Sequence, residues 1–217
     1  DYVLPPLTFA EYLAFIKKET ELIDYVIRSD EIEGKIPEYS SKNVDALNTE
    51  FVNYLNYGGY PEAVFSETIR KDPGQYIKSD IIDKVLLRDL PSLYGISDIQ
   101  ELNRLFTTLA YNTGNEVSLE ALSKSSGVAK NTIRRYIEYL EAAFLIKVVE
   151  RIDQNAKRFK RAMSFKVYLT NPSMRAALFG QLDAGSEAMG ALTETAIFSQ
   201  WQHGRTVQLF YARWATG

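Results

Sequence analysis

Two groups of side chains carry the chemistry this sequence offers. Lys130, Asn131, Arg134 and Arg135 lie close together in the chain, and Lys157, Arg158, Lys160 and Arg161 form a second group around Phe159. Arginine and lysine meet phosphate oxygens as charged donors, while asparagine and arginine can also read base edges in a major groove. Neighbouring cations in the second group repel one another unless they are solvated or paired with an anion, which makes phosphate contact a serious candidate and a solvated loop its competitor.

The stretch that must position them runs from Val117 to Thr170 and begins VSLEALSKSSGVAKNTIRRYIEYLEAAFLIKVV. It reads as two helices joined by a tight turn, then a strand, a basic tip and a second strand, which is the pattern of a winged helix-turn-helix. The first helix is predicted over Leu119 to Ser125 with Ser118 as its cap, since a serine hydroxyl can accept from the free amides of a first turn. Gly127 supplies the turn. In the second helix Ile133, Ile137, Leu140 and Phe144 recur at helical spacing and stack on one face, leaving Lys130, Asn131, Arg134 and Arg135 on the other. Ala129 precedes that helix at a position where Ser, Thr, Asp or Asn is favoured. The same module also serves as a protein-docking adaptor, so contact with duplex DNA and contact with a protein partner both stand.

Charge is partitioned along the chain. The net charge is −3 over 217 residues, yet residues 117–170 hold 11 Lys and Arg against 5 Asp and Glu, while residues 1–116 hold 11 against 20. A local basic patch matters more to nucleic acid than the overall balance. With 46% hydrophobic residues the composition is that of a globular protein with a real core. There is no cysteine, which excludes disulfides, thiolate metal sites and thiol nucleophiles and suits a reducing cytoplasm. No apolar run approaches membrane-spanning length, and no membrane partner is expected. His203 is the single histidine, so no Ser/His pair can be built on it.

Before Val117 the pattern is helical. Thr8 and Glu11 form a capping box, with Leu7 and Tyr12 as a hydrophobic staple, for a helix expected to reach almost to Gly34. A polar loop is expected over Glu33 to Asn43, a helix over about Glu50 to Tyr57 stopping at Gly58-Gly59, and another from Pro61 through Arg70. Ile77, Ile81, Ile82, Val85 and Leu86 mark a long amphipathic helix from Gln75 that Pro91 should end. Ser97 and Gln100 predict a second capping box, opening a helix that turns Ile99, Leu102, Leu105, Phe106 and Leu109 inward. After the winged segment come a strand stopped by Asn171-Pro172, short helices at Met174 to Phe179 and Leu192 to Gln202, and a terminal strand, TVQLFYARW, without a visible partner.

Several of these stretches, taken together, resemble one family. PPLTFAEYL, YLNYGGYPEAV, IIDKVLLRDL, NTIRRYIEYLEAAFLIKVV, KVYLTNPSMRAALFG, and GALTETAIFSQW with LFYARW are similar to the large prokaryotic family of AAA-type ATPases that carry a C-terminal domain of unknown function. The resemblance implies a P-loop core placed before this segment, then a helical lid with the GGYPE-type turn, a winged helix, and a final domain similar to the PD-(D/E)xK nuclease fold. It divides the chain into the end of the ATPase module and lid (1–75), a helical linker (76–116), the winged helix (117–170) and an incomplete nuclease-like α/β piece (171–217). The fold class expected is mainly α with small β.

The departures are as informative. A phosphate-binding loop needs Gly, four residues, Gly-Lys and then Ser or Thr. This chain has only Gly34-Lys35, with Ser29 at the position of the first glycine and Ile36 after the lysine. Glu194 matches the nuclease-like family's first acidic position, but the companions that a hard cation needs do not follow before Gly217. Both ends are therefore expected to be cut. ATP and Mg²⁺ are implied for the parent and no cofactor, catalytic residue or metal ligand for this chain, which is expected to be inactive alone. Arg88, in LLRDLPSL, is a candidate arginine finger, with a structural pair to Asp89 or another acid as the plainer reading. The function expected is a DNA- or partner-binding portion of an ATP-binding protein. The alternative is a protein-interaction or self-association module whose winged helix never touches DNA. An autonomous transcription regulator ranks behind both, since no effector or dimerising domain is evident.

Overall fold

A computed structural model describes residues 5–30, 34–152, 164–201 and 208–213. The Thr8 hydroxyl accepts from the Glu11 N–H at 3.1 Å and the Glu11 carboxylate accepts from the Thr8 N–H at 2.7 Å. This reciprocal box starts α1, Phe9–Phe15, as the sequence predicts. The helix does not continue toward Gly34. Lys17 adopts a positive φ of 60°, a short α2 (Glu19–Leu22) follows, and the chain enters an antiparallel hairpin of β1 (Ile23–Asp30) and β2 (Gly34–Ser41). What was expected as helix and then loop is thus two strands, and Gly34-Lys35 opens a strand rather than a phosphate-binding turn.

Asn43 accepts from the Ala46 N–H at 3.0 Å and so starts α3, Val44–Asn53, well before the expected Glu50. The helix continues through wider i→i+5 turns over Tyr54–Gly58. The next helix, α4, Pro61–Phe65, stops short of Arg70. The amphipathic run then forms as predicted, with Ile77, Ile82 and Leu86 buried. It consists of α5 (Pro73–Tyr76), i→i+5 turns from Ile77 to Asp89, and α6 (Leu90–Tyr94). Pro91 does not end it. The stop comes instead at Gly95, with φ 63°.

Asp98, not Ser97, caps α7 (Ile99–Tyr111), accepting from the Glu101 N–H at 2.9 Å. There follow β3 (Glu116–Ser118), α8 (Leu119–Ser126), α9 (Lys130–Ala142), β4 (Ile146–Ile152), β5 (Ser164–Leu169), α10 (Ser173–Phe179), α11 (Met189–Trp201) and β6 (Phe210–Ala212). The second sheet has the order β3-β5-β4-β6, antiparallel except for β6, which lies parallel to β4 with Glu150 opposite Phe210. The terminal strand therefore does have a partner. The architecture is mainly α with two small sheets.

Two apolar clusters hold these elements. One joins Ile82 and Leu86 to Leu105 and Phe106 of α7, Ile133 and Leu140 of α9, Ile146 of β4, Val167 of β5 and Met174 of α10. The other packs Leu192 and Ala196 of α11 against Tyr12, Leu13, Tyr54 and Leu55. At the joint between the α3–α4 turn and α10 the backbone of Gly59 presses on a buried Asn171, whose side-chain oxygen accepts from the Ser173 N–H at 2.9 Å. A Cβ on Gly59 would stand 2.3 Å from that oxygen, so no larger residue fits without displacement.

Candidate nucleic-acid interface

The turn between α8 and α9 is built by short polar side chains. Ser118 accepts from the Ala121 N–H at 3.1 Å and caps α8, and Gly127 ends it with φ 73°. Ser126 donates to the Leu122 carbonyl at 2.6 Å and accepts from the Val128 N–H at 3.3 Å, while Ser123 donates to the Val128 carbonyl at 2.7 Å. From α7, Arg104 Nε donates to the Ser126 carbonyl at 3.3 Å. Sequence reasoning missed Arg104, because a contact across helices leaves no mark in local spacing.

The angle of the turn sets α9 with Ile133, Tyr136, Ile137 and Leu140 buried and Lys130, Asn131, Arg134 and Arg135 exposed. These four predicted site residues share the first two turns of the outer face. Phe144, predicted to extend the buried stripe, lies past the helix end with φ 56° and is 60% exposed. The helix stopped one turn too early for it to face inward.

Lys130 Nζ stands 3.6 Å from Glu120, with both side chains largely in solvent, a pairing worth little. Arg134 and Arg135 form no ion pair among the described residues. Ala129 takes an extended conformation before α9 and offers no side-chain cap, so the amides of the first turn and the positive end of the helix dipole stay open beside these cations. Such a helix start favours an anion. On the α7 side, burial pushes the Tyr136 hydroxyl up, and the charges of Glu101 and Asp98 add to it. Lys157, Arg158, Lys160 and Arg161 lie outside the described residues, as does His203.

The other predicted positions are placed as follows. Glu194 on α11 accepts from Lys166 Nζ at 2.7 Å and from the Tyr168 hydroxyl at 2.6 Å. Burial, then this carboxylate, holds the Tyr168 hydroxyl protonated well beyond its ordinary range. Glu194 is therefore a paired carboxylate against the inner strand β5, not an isolated one. Arg88 is exposed and pairs with no acid among the described residues, so the expected bridge to Asp89 is not formed.

Residues 48–185 match the family model described as a domain of unknown function, DUF8612, more than half of the 217-residue chain. The chain belongs to the DUF8612 family. The DUF8612 match starts within α3 and ends in the loop after α10, so it contains the α8–α9 unit and the Gly59–Asn171 joint. The β1–β2 hairpin and Glu194 fall outside it. An uncharacterized protein of Haemophilus influenzae is 27% identical over 158 residues, which is 70% of this chain and 38% of that protein. An uncharacterized protein of Methanocaldococcus jannaschii is 21% identical over 165 residues, 74% of this chain and 34% of the relative. The DUF8612 chain thus spans little more than a third of the curated relatives it matches. No solved structure matches it.

Proposed function

We propose that residues 117–170 form a winged helix that binds duplex DNA through α9, within a longer protein that also binds ATP. The observation that carries the reading is the outer face of α9, where Asn131, Arg134 and Arg135 project to solvent beside an uncapped helix start while the opposite face is locked in the core. A helix fixed in this way can lie in a major groove without repacking. The order β3-β5-β4 beside α7, α8 and α9 supports the winged-helix assignment. In this proposal ATP and Mg²⁺ belong to a part of the whole protein outside this chain, and the residues after 170 belong to a nuclease-like region.

Binding of a labelled duplex, followed by fluorescence anisotropy, tests the reading. A dissociation constant on the order of 10⁻⁶ to 10⁻⁴ M, weakening steeply with salt, is expected of a contact dominated by phosphates. No change in anisotropy at low salt removes it.

One observation favours a second reading. Tyr25, Val26, Ile27 and Tyr39 on the β1–β2 hairpin are all more than half exposed, and an exposed two-stranded ribbon with open edges is a template for pairing with another chain. In that reading the chain is a protein-interaction or self-association module, and α9 is merely solvated.

A further inference from the structure

A cleft of about 610 Å³ lies between the end of α3 with its wide-turn extension, α4 and the loop after α10. Its walls include Ile16, Val52, Leu182 and the ring of Tyr57. It is an open cleft of mixed lining, apolar side chains alternating with polar ones, and its volume is within the range of small-molecule sites. Most of its polar groups are already engaged. Asn56 donates to the Leu182 carbonyl at 2.8 Å and accepts from the Leu182 N–H at 2.9 Å, and the Thr49 hydroxyl donates to the Asp45 carbonyl at 2.9 Å.

Two lining groups are different. Arg70 is the single cation on the lining and Asp183 the single carboxylate; both are exposed, and they form no ion pair with each other. Arg70 makes no side-chain hydrogen bond among the described residues, and Asp183 uses one oxygen to accept from the Gly185 N–H at 3.0 Å, leaving the second oxygen open.

We propose that this cleft binds a zwitterionic amino acid or short peptide with an apolar or aromatic side chain. Arg70 takes the carboxylate through its guanidinium fork, Asp183 takes the ammonium group, and the side chain lies against Val52, Leu182 and Tyr57. The proposal is independent of DNA binding by α9.

The probe is L-phenylalanine, titrated into the isotopically labelled protein and read by amide chemical shifts. Saturable shifts confined to residues 52–58, 70 and 181–184 are expected, with the N-acetyl derivative and the amide of phenylalanine each binding about tenfold more weakly for loss of one charge-assisted contact. Arg70→Gln should erase the difference between phenylalanine and its amide while preserving the difference from the N-acetyl form. Asp183→Asn, which keeps the oxygen that accepts from Gly185, should do the reverse. Both positions are exposed, so both variants should keep the parent thermal midpoint. Absence of shifts at millimolar phenylalanine, shifts spread over the surface, or equal binding of the three probes overturns the proposal.

Discussion

Ala129 begins α9 with extended backbone and no side chain able to accept from the amides that follow. Ala129→Ser supplies that acceptor and should stabilise the protein by about 0.5–1 kcal/mol, the usual worth of such a cap, seen as a raised urea midpoint at unchanged slope. A lowered midpoint would mean that the helix start resists a bonded hydroxyl. At the other end of the same helix Phe144 holds φ 56° with its ring 60% exposed. A left-handed conformation costs a residue with a Cβ about 1–2 kcal/mol, and glycine avoids most of it. Phe144→Gly should therefore stabilise by up to about 1 kcal/mol after the extra freedom of the unfolded chain is deducted, and destabilisation in the same titration would show that the ring contributes more than its exposure suggests. Both residues were visible in the sequence, but only Ala129 was read correctly. Nothing in the spacing told whether the stripe from Ile133 stopped at Leu140 or ran on to Phe144, because a helix end is decided by the turn after it.

Between elements, Glu50 ties α3 to the end of α1. Its carboxylate accepts from Lys18 Nζ at 2.6 Å and from the Tyr12 hydroxyl at 3.2 Å. Burial alone would raise its pKa, but the hydrogen bonds from Lys18 and Asn53, the charge of Lys18 and the Tyr12 hydroxyl outweigh burial and hold it below the ordinary 4.5. A lowered folded-state value stabilises above the unfolded pKa and is lost as pH falls through the folded one. Glu50→Gln should cost about 1–3 kcal/mol near neutral pH, and the gap between variant and parent should close as the pH falls below the ordinary carboxylate range and through the lowered folded-state value. Unfolding titrations across that range check it, and a gap that persists in acid would make packing rather than charge the source. At the Gly59–Asn171 joint, Gly59→Ala pushes a methyl against Asn171, where the ideal Cβ would stand 2.3 Å from the side-chain oxygen. Overpacking of a buried site costs about 1–3 kcal/mol, so the thermal midpoint should drop clearly, and an unchanged midpoint would show that the joint gives way freely. The β1–β2 hairpin was the element least legible in the sequence. With Tyr25, Val26, Ile27 and Tyr39 all exposed, it lacks the inside-outside alternation that marks a half-buried strand, so the apolar residues of β1 were taken for a helix and β2, with Tyr39, for a loop. β6 was recognised as a strand, but a parallel partner far away in the chain leaves no local sign of its place.

For the whole molecule, the separation of charge along the sequence became a separation of roles in the proposal. Residues 117–170 carry the excess of cations and residues 1–116 the excess of acids, and the described cations of α9 stand on an outward face. The helical periodicity of α7 and α9, the Ser118 cap and the Gly127 turn were all readable, since each depends on neighbours within a few residues. What binds to that outward face was not readable, because a basic helix face fits DNA and an acidic partner alike. The most direct test compares the parent with Arg134→Gln/Arg135→Gln for binding to one duplex over a series of salt concentrations. Each phosphate contact releases about one counterion, so the slope of log affinity against log salt should flatten by about two units in the double variant at unchanged thermal stability. An equal slope in the two proteins, or no binding by either, would contradict DNA contact through α9.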